Sequence, residues 1–210
     1  MKTKKSMTSQ EGFWAGKFGS EYINRNDCTE MVATNLSTFC KALKYAGSGI
    51  KSALEIGANV GLNLKALQIL YPSIHLKAVE INPTATKRLV SLIGRSNVFK
   101  GSILDYRNRE KVDLVVSKGV LIHIDPDELP NVYKILYKAS KRFILLAEYY
   151  NPHPVAITCR GHANRLFKRD FAGEMLDKYP DLALVDYGFV YHRDPVFPDD
   201  DISWFLLEKK

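Results

Sequence analysis

A glycine-bounded turn flanked by two acidic residues is the part of this sequence best suited to bind a ligand. Glu55 lies in an apolar run, Gly57, Asn59 and Gly61 follow at alternate positions, and Glu80 ends the next apolar run. Glycine has no Cβ, so such a turn lets the backbone approach a bound molecule closely. An acid after the second strand is placed to accept hydrogen bonds from ribose hydroxyls. The pattern therefore predicts a nucleoside-containing cofactor, and a purely structural turn is the alternative.

The residues of this turn also favour one cofactor over others. A dinucleotide fingerprint, G-x-G-x-x-G, has glycine where this chain has Asn59. Asparagine tolerates the left-handed backbone conformation, but its side chain would crowd a pyrophosphate, and Glu55 would repel one. The pattern E-x-G-x-N-x-G followed by an acid resembles the loop that binds S-adenosyl-L-methionine (SAM) in Rossmann-like methyltransferases. We therefore expect SAM as the cofactor and S-adenosyl-L-homocysteine as the product, with a nicotinamide or flavin as the alternative.

Length and composition fit a single cytoplasmic domain. The chain has 210 residues and a net charge of +7, from 30 Lys and Arg against 23 Asp and Glu. Its first ten residues are basic but lack the apolar core of a signal peptide. Cys28, Cys40 and Cys159 have no metal-binding spacing, so we expect free thiols and no metal. Residues 1–10 are predicted to be a flexible basic tail, and residues 11–210 a single domain with an N-terminal helical cap over 11–47.

The order of predicted elements favours an α/β fold. Strands are expected over 53–56, 75–79, 98–99, 112–117, 142–147, 182–191 and 202–207, and helices over 27–45, 62–70, 83–92, 126–139 and 168–178. Alternating strands and helices predict a parallel sheet, and two final strands predict an antiparallel hairpin. The expected fold class is a Rossmann-like class I methyltransferase. It has a seven-stranded, mostly parallel sheet with helices on both faces.

Polar residues after each strand then complete the predicted cofactor site, because ligands of such sheets bind beyond the carboxyl ends of the strands. Glu80 should hold the ribose, although a helix N-cap interaction near Pro83 is its alternative. Ser102 and Ile103 should line the adenine, and Asp105 is either a helix N-cap or a ligand contact. Ile81 and Lys118 are the remaining strand-end residues assigned to the cofactor.

Three residues could remove a proton from the acceptor. Methyl transfer is an in-line displacement, so the enzyme mainly positions the reactants. An alcohol or amine acceptor must also lose a proton, for which histidine is suited. His123 and His162 are the candidate bases, and Glu148 is the third candidate catalytic group. The alternative for His123 is a packed histidine that braces the loop after its strand.

Residues after the fifth strand are predicted to bind the acceptor. Tyr149 and Tyr150 could stack on a sugar or base, and Asn151 could hold hydroxyls. Arg160 and Arg165 could bind a carboxylate or phosphate. These arginines belong to a basic cluster with His162, Lys168 and Arg169. The cluster is a solvated face, a site for an anionic acceptor or, less favoured, a contact for nucleic acid.

Blocks along nearly the whole chain resemble the pseudaminic acid biosynthesis-associated methylases. The blocks are residues 12–19, 21–26, 117–129, 148–152, 160–162, 166–173 and 186–194. The resemblance implies a SAM-dependent methylase associated with nonulosonic acid sugars of surface glycans. It also implies that Trp14, Tyr22 and Arg25 fold over the cofactor, where Arg25 would meet the methionine carboxylate.

The sequence thus predicts a methyltransferase that acts on a small anionic sugar or nucleotide-sugar, as a monomer or homodimer away from membranes. A methyltransferase acting on RNA or protein is the enzyme alternative. A SAM-binding regulatory protein that lacks the chemistry is the non-enzyme alternative.

Overall fold

A computed structural model describes residues 7–25, 29–159 and 161–210 of the chain, without the side chains of residues 24, 25, 29 and 159. Four predictions therefore lie wholly or partly outside the described part. These are the role of Arg160 in binding the acceptor, the role of the Arg25 side chain in binding the cofactor, the free thiols of Cys28 and Cys159, and the flexible tail over residues 1–6.

A seven-stranded sheet forms the centre of the molecule, in the order β3-β2-β1-β4-β5-β9-β8. Its strands are β1 (Ser52–Ile56), β2 (His75–Glu80), β3 (Val98–Lys100), β4 (Val112–Lys118), β5 (Ser140–Glu148), β8 (Leu182–Val190) and β9 (Ile202–Lys209). A separate hairpin consists of β6 (Val155–Cys159) and β7 (His162–Lys168). Strands β1 to β5 pair in parallel, and β9 and β8 add an antiparallel hairpin at one edge. The predicted fold class is confirmed.

Seven helices accompany the strands in the described residues. They are α1 (Ser9–Ala15), α2 (Lys17–Arg25), α3 (Thr29–Ala42), α4 (Leu62–Leu70), α5 (Pro83–Ile93), α6 (Leu129–Ala139) and α7 (Phe171–Lys178). Helices α3, α4 and α5 pack on one face of the sheet around Phe39, Leu67 and Leu89. Helices α6 and α7 pack on the other face around Leu136 and Met175. The central strands β1 and β4 are buried nearly throughout because both of their faces are covered.

The structure differs from the sequence prediction in three places. The hairpin β6–β7 was not predicted, and the helix expected from residue 168 begins instead at Phe171, where Asp170 caps it through a bond from the Gly173 amide. The N-terminal segment forms two helices, and α1 begins at Ser9, inside the predicted tail. A capping box between Thr8 and Glu11 fixes that start.

None of the helices in the described ranges is long and apolar enough to cross a membrane. The same ranges contain no group of three His, Cys, Asp or Glu side chains arranged to hold a metal ion.

Candidate functional site

A cavity of about 220 Å³ lies at the carboxyl ends of the parallel strands, beneath α1 and α2. Its wall includes the turn after β1, the end of β2, residues 101–104 after β3 and the loop after β4. The predicted cofactor residues that line it are Trp14, Tyr22, Gly57, Asn59, Glu80, Ile81, Ser102, Ile103 and Lys118. One predicted base, His123, also lines it. The structure therefore brings most of the residues that were predicted to bind the cofactor to one cavity.

The turn after β1 has a backbone that few residues can adopt. Gly57, Asn59 and Gly61 have φ angles of 59°, 47° and 85°, all in the left-handed region. A Cβ added to Gly57 would lie 2.6 Å from a Val120 methyl carbon. The turn thus requires glycine at Gly57 for both conformation and space.

Glu80 is a buried acidic residue on the cavity wall, with only 6% of its surface exposed. Its carboxylate accepts the backbone N–H groups of Asn59 and Asn82, each at 2.7 Å. Burial raises the pKa of Glu80, while hydrogen bonds from backbone amides oppose that shift. A carboxylate offers about four acceptor positions, so these backbone bonds leave acceptor capacity for a ligand. Asn82, rather than Glu80, caps helix α5 with its side chain.

Buried acceptors without partners lie beside the turn. The Asn63 amide donates to Oε1 of Glu55 at 2.6 Å. Among the described residues, Oε2 of Glu55, Oδ1 of Asn63 and Oδ1 of Asn35 have no hydrogen-bond partner. Asn63 and Asn35 line the cavity, whereas Glu55 lies behind Asn63 and contacts it. Unpaired buried acceptors are costly, so the oxygens of Asn35 and Asn63, which line the cavity, suit a ligand that carries N–H donors.

Glu55 is 1% exposed, and burial raises its pKa to about 8. The bond from Asn63 and the charge of Lys118 partly oppose this shift. Glu55 therefore holds a proton at neutral pH when the cavity contains no cation. Neither Asn35 nor Asn63 was predicted, although Asn63 stands only two residues beyond Gly61.

The segment after β3 contributes an apolar wall. Ile103 is 8% exposed and lines the cavity. The Ser102 hydroxyl accepts the Leu104 amide at 3.0 Å and so caps a short 3₁₀ turn. Asp105 is exposed and lies outside the cavity wall. Of the two roles considered for Asp105, neither is adopted, because Ser102 provides the cap.

Lys118, at the end of β4, forms a buried ion pair. Its Nζ lies 2.9 Å from Oδ2 of Asp199, and the two side chains are 7% and 3% exposed. Asp199 precedes β9, so the pair ties the cavity wall to the C-terminal hairpin. The pairing of Lys118 with Asp199 was not predicted, because 81 positions separate the two residues in the sequence (199 minus 118).

His123 lies in the loop after β4 with a defined orientation. Its Nδ1 is 2.7 Å from the carbonyl oxygen of Arg165 in β7. A carbonyl only accepts, so Nδ1 carries the hydrogen and Nε2 is an acceptor in the neutral ring. Burial lowers the pKa of His123 to about 4, although the bond to Arg165 opposes the shift. The ring is therefore neutral at physiological pH. It is also braced by β7, so both roles predicted for His123 agree with its position.

Aromatic side chains of α1 and α2 cover the cavity. The Trp14 ring centroid lies 4.5 Å from that of His123 and 5.3 Å from that of Tyr22. Phe13 and Phe18 lie against His162, at 5.0 and 5.8 Å. His162 is exposed and is absent from the cavity wall. The structure thus brings His123, but not His162, to the cavity.

Glu148 occupies a position that differs from the predicted one. It is 3% exposed and does not line the cavity. Its carboxylate accepts the Ser117 hydroxyl at 2.6 Å and the amides of Val120 and Leu121, at 3.0 and 3.1 Å. Glu148 therefore anchors the loop that carries His123, and we correct its assignment from a reacting group to a structural one.

The described residues assigned to the acceptor are not brought to the cavity either. Tyr150 is 43% exposed beside Phe205, and the Asn151 amide donates to the His153 carbonyl at 2.5 Å. Tyr149 lies under the Lys168 ammonium, 5.1 Å from its ring centroid. These residues lie on or next to the hairpin β6–β7, which the sequence prediction treated as a loop.

The described basic residues of the late cluster have separate partners. Arg165 donates to the Ser9 hydroxyl at 2.7 Å and lies over the Phe13 ring. Arg169 pairs with Glu174 at 2.7 Å. This arrangement holds the hairpin against α1 and α7, and it does not present a shared anion site at the cavity wall.

Comparisons with known proteins show the fold. A Burkholderia thailandensis 1,6-didemethyltoxoflavin-N1-methyltransferase, with its substrate and S-adenosylhomocysteine bound, has a TM-score of 0.72 and 13% identity over 99% of this chain and 93% of its own. Magnesium protoporphyrin IX methyltransferase from Synechocystis PCC 6803, with bound SAM, has a TM-score of 0.69 and 11% identity over 99% and 100%. Mitomycin 7-O-methyltransferase has a TM-score of 0.68 and 14% identity, and this chain covers only 61% of it.

No protein-family model matches the sequence, and the search of curated proteins found no match. At such low identities the likeness shows a class I methyltransferase fold. The narrower resemblance to pseudaminic acid biosynthesis-associated methylases is not supported by these comparisons.

Proposed function

We propose that this chain is a SAM-dependent methyltransferase that acts on a small molecule. The observation that carries the proposal is the buried Glu80 carboxylate at the end of β2, beside the left-handed turn that includes Gly57. Backbone amides fix this carboxylate, and its remaining acceptor capacity suits a ribose hydroxyl. Solved proteins of the same fold contain SAM or S-adenosylhomocysteine.

Other cavity residues fit the remaining parts of the cofactor. Ile81 and Ile103 provide apolar surface for the adenine, and the Ser102 hydroxyl keeps its hydrogen for donation to the base edge. The unpartnered oxygens of Asn35 and Asn63 suit the methionine ammonium, and Glu55 behind Asn63 adds negative charge once it ionises. The proposed role of Arg25 rests on the family resemblance alone.

In this reaction the protein mainly positions the reactants, excludes water and accepts a proton. When bound, SAM would supply a methyl group. The acceptor oxygen or nitrogen would bond to the methyl carbon, the carbon–sulfur bond would break with its electron pair left on sulfur, and the acceptor would lose a proton. Trp14 and Tyr22 cover the cavity and exclude water. Nε2 of His123 accepts a hydrogen bond from the acceptor. It takes the proton as the new bond forms, when the acceptor becomes more acidic.

For the acceptor, we propose a sugar of the nonulosonic acid class or its nucleotide derivative, in surface glycan biosynthesis. The resemblance of the terminal blocks of the sequence supports this class. The separate partners of Arg165 and Arg169 favour a small acceptor over RNA, because Ser9 and Glu174 already engage these two arginines.

The proposal is tested by incubating the protein with methyl-labelled SAM and a panel of nucleotide-linked nonulosonic acids. We expect mass spectrometry to show a product heavier by one methyl group. SAM binding without transfer to any member of a broad small-molecule panel would contradict the methyltransferase proposal and favour a regulatory protein. Transfer only to other small molecules would contradict the sugar class while keeping the enzyme.

A further inference from the structure

The part of the cavity wall contributed by α1 and the loop after β4 is acidic. We call this part the outer mouth, and six of its polar and aromatic members are Gln10, Glu11, Trp14, His123, Asp125 and Glu128. Three of the six carry a carboxylate, and no described Lys or Arg lines this part. Lys118, the cation on the wall of the described cavity, is already paired with Asp199.

Gln10 supplies independent evidence that this mouth binds a hydrogen-bond donor. The side chain is 9% exposed and lines the cavity. Its Nε2 donates to the Asn164 carbonyl at 3.4 Å, which orients the amide. Within the described structure, its buried Oε1 has no hydrogen-bond partner. A buried amide oxygen in this state is costly unless a ligand donates to it.

The carboxylates of the mouth are held in place by local bonds. Glu11 accepts the Thr8 amide at 2.6 Å in the capping box, and Asp125 accepts the Asp127 amide at 3.1 Å. Glu128 accepts the Asn131 side-chain amide at 2.9 Å. Each of these bonds uses one of the acceptor positions of its carboxylate. The mouth is therefore a pre-organised set of acceptors with negative charge.

We infer that the outer mouth selects an acceptor that presents a protonated amino group, and disfavours one that presents a carboxylate or phosphate there. An ammonium donates several hydrogen bonds and is attracted to the carboxylates, whereas an anion is repelled by them. The Trp14 ring on the same wall is also a favourable neighbour for a cation. The inference rests on the proposed function, since it describes the acceptor of that reaction. An amino sugar would enter by its amino group, with any acidic group pointing away from the mouth.

The test compares three pyranoses of similar size in the presence of saturating S-adenosylhomocysteine. The probes are glucosamine, N-acetylglucosamine and glucuronate, at a pH near 6 where the amine is protonated. We expect isothermal titration calorimetry to show tightest binding for glucosamine and weakest for glucuronate. Equal or tighter binding of glucuronate, or no measurable binding of glucosamine, overturns the inference.

Charge-removing variants locate the effect. We expect Glu11→Gln and Asp125→Asn each to weaken glucosamine binding about tenfold, equivalent to ~1.4 kcal/mol, without changing affinity for N-acetylglucosamine or S-adenosylhomocysteine. Glutamine still supports a capping box, so Glu11→Gln keeps the start of α1. Glu110→Gln, at an exposed ion pair, is the charge-matched control and should have no effect. Unchanged glucosamine affinity in both mouth variants contradicts the inference. Failure of S-adenosylhomocysteine itself to bind overturns the proposed function instead.

Discussion

The imidazole Nδ1 of His123 donates a hydrogen bond to the backbone carbonyl of Arg165 at 2.7 Å. The bond connects the loop after β4 to the hairpin strand β7, 42 positions later in the chain. It leaves Nε2 of the neutral ring as the acceptor, so the hairpin determines which nitrogen of His123 can act on a ligand.

His123 should therefore make stability depend on pH. Its pKa is lowered to about 4 from 6.5 by burial, so the unfolded chain binds the proton more readily. The stability that His123 contributes is present above pH ~6.5 and is lost as the pH falls towards ~4. We expect urea denaturation to show that, as the pH falls over this range, the free energy of unfolding decreases by about 2 kcal/mol less in His123→Gln than in the wild type. Parallel pH profiles of the two proteins would contradict this burial effect.

Glu148→Gln should destabilise the fold. The carboxylate accepts from Ser117 and from backbone amides of the His123 loop, and a glutamine NH₂ group cannot accept these bonds. We expect a loss of about 1–3 kcal/mol in the free energy of unfolding, measured by urea denaturation. Glu208→Gln, at a surface ion pair with Arg142, should lose less than about 1 kcal/mol. Normal stability with abolished turnover would instead indicate a reacting group.

Trp14 should report ligand binding by fluorescence. The chain has two tryptophans. Trp14 lines the cavity, whereas Trp204 is 4% exposed in the core around α3 and α4. We expect S-adenosylhomocysteine to change the emission of the wild type and to leave Trp14→Phe almost unchanged. A full signal that persists in Trp14→Phe would place the binding site elsewhere.

Gly57→Ala and Gly47→Ala separate steric crowding from backbone strain. Both glycines have a positive φ, 59° and 66°, so alanine should cost about 1–2 kcal/mol at either position. A Cβ at Gly57 meets Val120 at 2.6 Å, whereas at Gly47 nothing lies within 4 Å. We expect Gly57→Ala to lose a further ~1–3 kcal/mol in denaturation experiments and to lose cofactor binding. Equal stability of the two variants would contradict the close contact with Val120.

The residues predicted to bind the cofactor were placed at the cavity more successfully than those predicted to bind the acceptor, for a physical reason. Gly57, Asn59 and Glu80 follow strands of a parallel sheet, and all such strand ends meet at one edge. Glu148 also ends a strand, but its side chain accepts hydrogen bonds from β4 and the loop after it. The order of strands in the sequence does not predict this side-chain direction.

The positions of the residues predicted to bind the acceptor depend on contacts between segments that are distant in the sequence. Hairpin β6–β7 contains the β-branched residues Val155, Ile157 and Thr158, which favour a strand, but no strand was predicted there. Its docking on α1 through Arg165 and Ser9 joins residues 156 positions apart. The amide oxygens of Gln10 in α1 and Asn35 in α3 are buried without a partner only in the packed structure, so the sequence alone does not identify them.

Binding of S-adenosylhomocysteine to the wild type and to Glu80→Ala tests the central claim most directly. Glu80→Gln, which retains one carbonyl acceptor, is the conservative variant. We expect isothermal titration calorimetry to show one site in the wild type, intermediate affinity in Glu80→Gln and no detectable binding in folded Glu80→Ala. Unchanged affinity in Glu80→Ala, or no binding to the wild type, would contradict the assignment of this cavity to SAM.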